Sequence, residues 1–386
     1  METQERQLRP FQKEVLEILG TDPRLIRHVI CVAPTGSGKS LIYERAAASP
    51  LRRTLLITPL IALARQQFQQ LKASGVRVTL GAGEREALPP PPRSGAWILS
   101  PEMLLSSSRQ AMLKKWNPNF LVVDECHCLW DWGESFRPAF LEVPKLVSGF
   151  DLPQSLWLTA TLPPKARAAL KREISFPCIE VGQFALPASL KFYLHRASWP
   201  ERLQKTMQWA LTQKEGGLIF VSTRKDTLRI TRLLTAMGKQ VVSYHGGLSS
   251  EERRNIENLV FDQNYQIVVA TSAFGMGMNF PHLKSVLLWQ SPSSILALVQ
   301  AIGRVGRGTD RFGQATVFWD PGDFQLLEWS LGESKQRHQD FLDLIRFYES
   351  KGCRRLWLKN YFNEKTQTLT SEPCHGCDVC MRLFQG

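Results

Sequence analysis

Ten short apolar runs, rich in β-branched residues, alternate along this chain with helix-patterned stretches, and that alternation restricts the fold more than any other feature. In the first half the expected strands are His28–Val32, Thr54–Thr58, Trp97–Leu99, Leu121–Asp124 and Leu156–Thr159. In the second half they are Leu218–Val221, Gln240–Ser243, Ile267–Ala270, Val286–Trp289 and Thr316–Trp319. Helical patterns such as Leu60–Ala73 and Glu251–Phe261 lie between them. Continuous apolar strands separated by helices indicate parallel sheets covered on both faces, and ten strands make two such sheets more readily than one. The expected architecture is α/β, with two tandem parallel-sheet domains. Periodicity lapses near Gly182–Ser198, so the expected division is 1–190 and 191–325. After Asp323 the strand pattern stops, and 326–386 reads as a small helical subdomain closing on a cysteine cluster.

A chain of 386 residues is too long for one core. Its net charge of +13 favours a polyanionic partner. No apolar run approaches the roughly 20 residues of a membrane span, and the polar start Met1–Arg6 does not resemble a secretion signal. The expectation is an intracellular protein with no membrane partner, in the cytoplasm or nucleoid of a bacterium or the nucleus of a eukaryote. Of the eight cysteines, Cys31, Cys126, Cys128 and Cys178 are scattered, whereas Cys353, Cys374, Cys377 and Cys380 close the chain. Without a secretion signal, the second group reads as a metal site rather than a disulfide framework. Four thiolates, three of them in two consecutive Cys-x2-Cys steps, suit tetrahedral Zn2+ in a closed, structural site.

Ala33-Pro34-Thr35-Gly36-Ser37-Gly38-Lys39-Ser40 follows a strand and precedes a helical stretch. Its glycines let backbone N–H groups wrap phosphates, Lys39 would reach the β/γ-phosphates of ATP and Ser40 would ligate Mg2+. About 90 residues on, Asp124-Glu125 directly follows the strand run Phe120-Leu121-Val122-Val123. Asp124 would hold Mg2+, and Glu125 would orient and deprotonate the attacking water. The stretch after this pair, His127 to Arg137, carries Trp130, Trp132 and Phe136, side chains that stack on unpaired bases or, on the plainer reading, pack a core. In Gln300–Gly308, Arg304 and Arg307 are spaced to share one helix face and could reach across an interdomain cleft to the γ-phosphate.

These motifs resemble a superfamily 2 helicase, and within it the RecQ family, from about residue 8 to residue 380. Leu8-Arg9-Pro10-Phe11-Gln12 resembles the adenine-recognition segment, which implies Arg9 and Gln12 near the base. Thr58-Pro59-Leu60-Ile61-Ala62-Leu63 and Leu99-Ser100-Pro101-Glu102 match strand-binding motifs of the first lobe. Thr159-Ala160-Thr161 matches the motif that couples hydrolysis to lobe movement. Phe220–Arg224, Tyr244–Leu248 and Ala270–Asn279 match the second lobe, which implies Thr271 at DNA. The loop from His127 to Arg137 is similar to the family's sensor of single-stranded DNA, with Trp132-Gly133 and Phe136-Arg137-Pro138 fitting and Glu134 and Ser135 departing from the usual His-Asp.

The resemblance implies two RecA-like lobes with a helical zinc-binding subdomain. ATP and Mg2+ would be held by Thr35–Ser40 and Asp124, with Glu125 activating water and Gln300 helping to position it. Single-stranded and tailed duplex DNA are the implied partners, with 3′-to-5′ movement, duplex separation and a role in DNA repair or recombination. The expected particle is a monomer, and its protein partners are not legible. Members usually continue into a winged-helix domain, whereas this chain stops six residues after Cys380, so a minimal or truncated form is expected. A translocase or annealing factor with weak unwinding, an RNA helicase of the same superfamily and a DNA-binding scaffold with a silent ATPase stay open.

Overall fold

A computed structural model describes residues 7–81, 90–131, 138–174, 176–213, 216–274, 280, 282–306, 312–332, 334–363 and 373–382. Trp132, Phe136, Arg137 and Arg307, with Glu134 and Ser135, lie outside the described residues. The chain divides into two compact units, 1–185 with 362–364, and 186–361 with 365–386.

Among the described residues the first unit holds a seven-stranded sheet: β1 (Arg27–Val32), β2 (Arg53–Ile57), β3 (Val78–Leu80), β4 (Gly95–Leu99), β5 (Phe120–Val123), β6 (Gln154–Thr159) and β7 (Cys178–Gly182). The order is β3-β4-β2-β5-β6-β1-β7, and every pairing is parallel. The second unit holds six: β8 (Leu190–Arg196), β9 (Gly216–Phe220), β10 (Val241–Tyr244), β11 (Ile267–Ala270), β12 (Leu283–Leu288) and β13 (Gly313–Trp319). Their order is β10-β11-β9-β12-β13-β8, again all parallel.

All ten expected strands are present, and β3, β7 and β8 are additional. Each of the three lies at a sheet edge. An edge strand is covered incompletely, so it lacks a continuous apolar run. β3 has no fully buried residue, β7 buries Val181 alone, and β8 alternates buried and half-buried positions. The central strands are the reverse: Leu121, Val122, Leu156 and Ile98 are fully buried. Leu19, Ala46 and Leu71, from the helices Pro10–Leu19, Ser40–Ala47 and Ile61–Ala73, pack into that same core. Each buried leucine among them contributes about 1.5–3 kcal/mol by leaving water. Around the second sheet, Ile219, Val269, Leu287 and Phe318 pack with Trp209, Ile230 and Leu234.

Parallel strands bring their carboxyl ends to one edge, where ligands of open α/β sheets bind. In the first unit, backbone bonds stitch that edge together. Ala33 N donates to Thr159 O at 3.0 Å, Asp124 N to Ile57 O at 3.0 Å and Cys126 N to Leu158 O at 2.9 Å. The loops after β1, β5 and β6 are thereby held side by side.

Candidate nucleotide site and metal centre

The loop Ala33–Lys39 joins β1 to the helix that starts at Ser40. Gly36 (φ 75°) and Gly38 (φ 82°) adopt left-handed backbone there. Lys39 folds its ammonium back into the loop and donates to Ala33 O at 2.9 Å and Pro34 O at 3.3 Å. Gln12, buried on the first helix, braces the loop from outside. Its Nε2 donates to Gly38 O at 2.7 Å and Ser37 O at 3.4 Å, and its Oε1 accepts from Arg9 N at 2.7 Å. A Cβ at Gly38 would meet Gln12 Nε2 at 2.9 Å, so any side chain there displaces the brace. Arg9 caps the same helix and is exposed. The Ser37 hydroxyl is buried without a partner, and Thr35 and Ser40 are half-buried. Left-handed glycines, an ammonium turned inward and an orphaned hydroxyl fit a phosphate chain.

Asp124 and Glu125 follow β5. Asp124 Oδ1 accepts from Glu125 N at 2.9 Å, and Oδ2 accepts from Gln67 Nε2 at 2.7 Å. Burial, then the charge of Glu125, raises the Asp124 carboxyl to about 6, with Lys39 opposing. A buried carboxylate raised in this way gains from a nearby dication, so the donor chemistry fits Mg2+. Glu125 has φ 50°, left-handed in a residue other than glycine. His127, buried, sets Nδ1 3.3 Å from Glu125 Oε2 and 3.0 Å from Thr159 Oγ1, and Thr159 Oγ1 donates on to Thr161 O at 2.8 Å. Burial opposes charge on His127, but the adjoining Cys128 sulfur and Glu125 outweigh it and hold its pKa above the ordinary value. The acidic pair and the Thr159-Ala160-Thr161 segment are therefore joined through one imidazole. Trp130 lies on the short helix Cys128–Asp131.

On the second unit, Thr271 is half-buried just beyond β11, and its N–H donates to Tyr244 O at 3.1 Å. Gln300 lies on the helix Ile295–Ile302, and its Nε2 is buried without a partner. The expectation that Arg304 and Arg307 share a helix face is corrected at Arg304. The helix ends at Ile302, and Arg304 sits in the turn beyond it. Gly303 caps the helix, and Gly306 (φ 69°) takes left-handed backbone three residues on, so Arg304 lies past the helix end.

The ligand atoms of Cys353, Cys374, Cys377 and Cys380 all lie within 4.8 Å of one another. Tetrahedral zinc with Zn–S near 2.3 Å needs sulfurs about 3.8 Å apart, so the donor set fits. Hydrogen bonding among the thiols lowers Cys353 but raises Cys377 to about 12, and burial raises Cys374 to about 11. Thiols raised in this way gain from a nearby dication, so the donor chemistry suits Zn2+. Phe192 N, on β8, donates to Gly376 O at 2.8 Å, and Phe192 pairs in parallel with Cys377. Arg355 donates to Leu190 O at 2.7 Å and Pro187 O at 2.7 Å. The cysteine turn is thus laid along the edge of the second sheet.

Sequence reasoning missed Gln67, although a signal was present: a carboxamide among the apolar positions of Leu60–Ala73. It also missed Arg52, 2% exposed, which donates to Gly20 O at 2.8 Å and Leu19 O at 3.5 Å at the end of the Gln12 helix.

Known proteins agree with this geometry. A DEAD/DEAH box helicase profile matches residues 9–169, a helicase conserved C-terminal domain profile 200–309 and a RecQ zinc-binding profile 321–381. The ATP-dependent DNA helicase RecQ of Pasteurella multocida (strain Pm70) is 31% identical over 392 residues, covering 97% of this chain and 60% of the relative. Its namesake in Haemophilus influenzae is 31% identical over 369 residues, covering 91% and 58%. The chain therefore spans 60% or less of the length of these relatives. Among solved structures, S. cerevisiae Dbp5 bound to RNA and ADP BeF3 superposes with a TM-score of 0.68 at 17% identity, covering 87% of this chain and 93% of that one. Mycobacterium smegmatis helicase Lhr bound to ssDNA and AMP-PNP gives 0.62 at 19%, covering 88% and 50%. At those identities the likeness is one of fold.

Helicase profiles on both parallel-sheet units place the chain among proteins of the helicase fold. The cysteine segment narrows this: with relatives 31% identical across nearly its whole length, the chain belongs to the RecQ family. Zn2+ suits its four-cysteine cluster, and ATP with Mg2+ suits the loop and Asp124.

Proposed function

We propose that this chain is an ATP-dependent DNA helicase that moves 3′-to-5′ on single-stranded DNA and separates duplexes, acting inside the cell as a monomer in DNA repair or recombination. One observation supports the reading most: the Glu125–His127–Thr159 contact, which joins the acidic pair to a coupling motif on the edge that also carries the phosphate loop. Bound Mg2+ would offset the phosphate charge and order the attacking oxygen. Lys39 leaves the Ala33 and Pro34 carbonyls for the phosphates, while Thr35–Ser40 supply backbone N–H groups and a hydroxyl. Glu125 takes the proton of the attacking water. Gln12 and Arg9 face the adenine. Gln300, Arg304 and Arg307 also act in ATP hydrolysis. His127, Trp130, Trp132, Phe136, Arg137 and Thr271 contact the DNA strand, and residues 1–190, 191–325 and 326–386 act as first lobe, second lobe and zinc-bearing subdomain. The names of the relatives, ATP-dependent DNA helicases, favour DNA over RNA as the strand.

The test compares strand displacement on 3′-tailed and 5′-tailed DNA duplexes with ATP and Mg2+, beside a Glu125→Gln control. Displacement from the 3′ tail alone, lost in the control, is expected. Stronger stimulation of ATP hydrolysis by RNA than by single-stranded DNA would overturn the DNA assignment, and turnover without displacement would make the chain a translocase.

A further inference from the structure

The helix Ile61–Ala73 starts inside the strand-binding segment Thr58–Leu63 and runs back over the first sheet. Its buried positions are Leu63, Ala64, Gln67 and Leu71. Three are apolar, as a helix packed on a sheet requires. The fourth is a carboxamide, 1% exposed. Burying an amide costs free energy unless it is hydrogen-bonded, and Gln67 donates from Nε2 to Asp124 Oδ2 at 2.7 Å. Its Oε1 is buried. The buried Tyr43 hydroxyl lies beside Gln67 and Ser40 and interacts with both. An otherwise apolar face is thus opened to polar groups where the helix passes the acidic pair.

We propose that Gln67 is a positioning residue that ties the strand-binding end of its helix to Asp124, so that occupancy of Thr58–Leu63 by single-stranded DNA sets the orientation of the carboxylate expected to hold Mg2+. The proposal rests on the helicase reading above and adds a second connection to the one through His127. Two anchors fix the carboxylate: the Glu125 N–H on Oδ1 and the Gln67 amide on Oδ2. Only the second belongs to an element that also carries a strand-binding segment. Gln67 is six residues after Ile61, about 9 Å along the axis. Over so short a distance a helix moves as one body, and a shift of its first turn reaches the amide undamped. Gln67 acts through Asp124.

The test uses Gln67→Met, which keeps volume and removes the donor, and Gln67→Glu, which keeps shape and turns a donor into a like charge beside Asp124. Three quantities are read on the whole chain. They are the thermal midpoint, the Mg2+ concentration for half-maximal binding of a fluorescent ADP, and the ratio of affinities for a fluorescein-labelled oligonucleotide with and without Mg2+ and AMP-PNP. For Gln67→Met a midpoint within about 3 °C of wild type is expected. Half-saturation by Mg2+ should rise about tenfold, and the affinity ratio should fall toward one, since charge-assisted hydrogen bonds are worth about one to two tenfold factors. Gln67→Glu should exceed both changes. If the wild-type ratio differs from one and both variants keep it, the role of Gln67 is overturned while the helicase reading stands. If the wild-type protein binds the oligonucleotide without regard to nucleotide, the helicase reading and this proposal fail together.

Discussion

Phe192, in the edge strand β8, donates its backbone N–H to Gly376 at 2.8 Å, which makes the cysteine turn a short extension of the second sheet. The zinc-binding segment therefore covers a strand edge, and its loss would expose backbone groups of β8. Chelation, or Cys377→Ser, is expected to lower the thermal midpoint by at least about 5 °C, because structural zinc contributes directly to folding free energy. Metal content measured beside calorimetry checks this. A zinc-free protein with an unchanged midpoint would show that the turn holds without its ion.

Lys39 presents the opposite case. Its bonds to the Ala33 and Pro34 carbonyls close the loop on itself, yet none of them supports the sheets. Lys39→Ala is expected to reduce ATP turnover by about 100-fold or more while leaving the thermal midpoint near that of wild type. Turnover and calorimetry on one preparation separate the two effects.

A buried pair braces the second unit. Arg202 donates to both carboxylate oxygens of Asp323, at 2.9 and 2.8 Å, and Asp323 also accepts from Ser291 N at 3.2 Å. Asp323→Ala would strand a guanidinium that is 4% exposed, and a loss of about 3–5 kcal/mol in urea unfolding is expected. The double change Arg202→Met with Asp323→Leu should cost less than either single truncation, since it leaves no charge behind.

His28 makes the first unit sensitive to acid. It is buried against Phe176, with rings 5.0 Å apart, and its Nδ1 lies 2.8 Å from Ser155 Oγ. Burial lowers its pKa below 6.5. Below pH 6.5 the unfolded chain then binds a proton that the folded chain refuses, so stability falls with pH in that window and this group contributes no slope above it. Thermal midpoints from about pH 7.5 to about pH 5.5 should decline less in His28→Gln than in wild type. Equal slopes would move the acid sensitivity to another group.

The sequence was legible where burial is complete. Strands such as β5 and β6 read directly, because every position is covered. β8 was read as a lapse because only every second position is buried, and the turn that covers its edge lies far along the chain, at Cys377. Lys39 and the Asp124-Glu125 pair stand out as candidates in the sequence because phosphate and metal chemistry favour particular residues at fixed spacing, each within its own short loop, after β1 and after β5. Gln67 was not, because its meaning lies in a partner 57 residues away. The helix expected to carry Arg304 failed on local grounds, since Gly303 and Gly306 outweigh the neighbouring apolar pattern.

The left-handed backbone of Glu125 has a consequence for how this protein can be improved. Such a conformation costs about 1–3 kcal/mol in a residue with a side chain, and glycine relieves most of it. A selection for heat resistance alone would favour Glu125→Gly, gaining stability and losing the group proposed to take the proton from water. Thermostabilised variants of this chain should therefore be screened for turnover before stability, because one such gain lies at the position proposed to activate water.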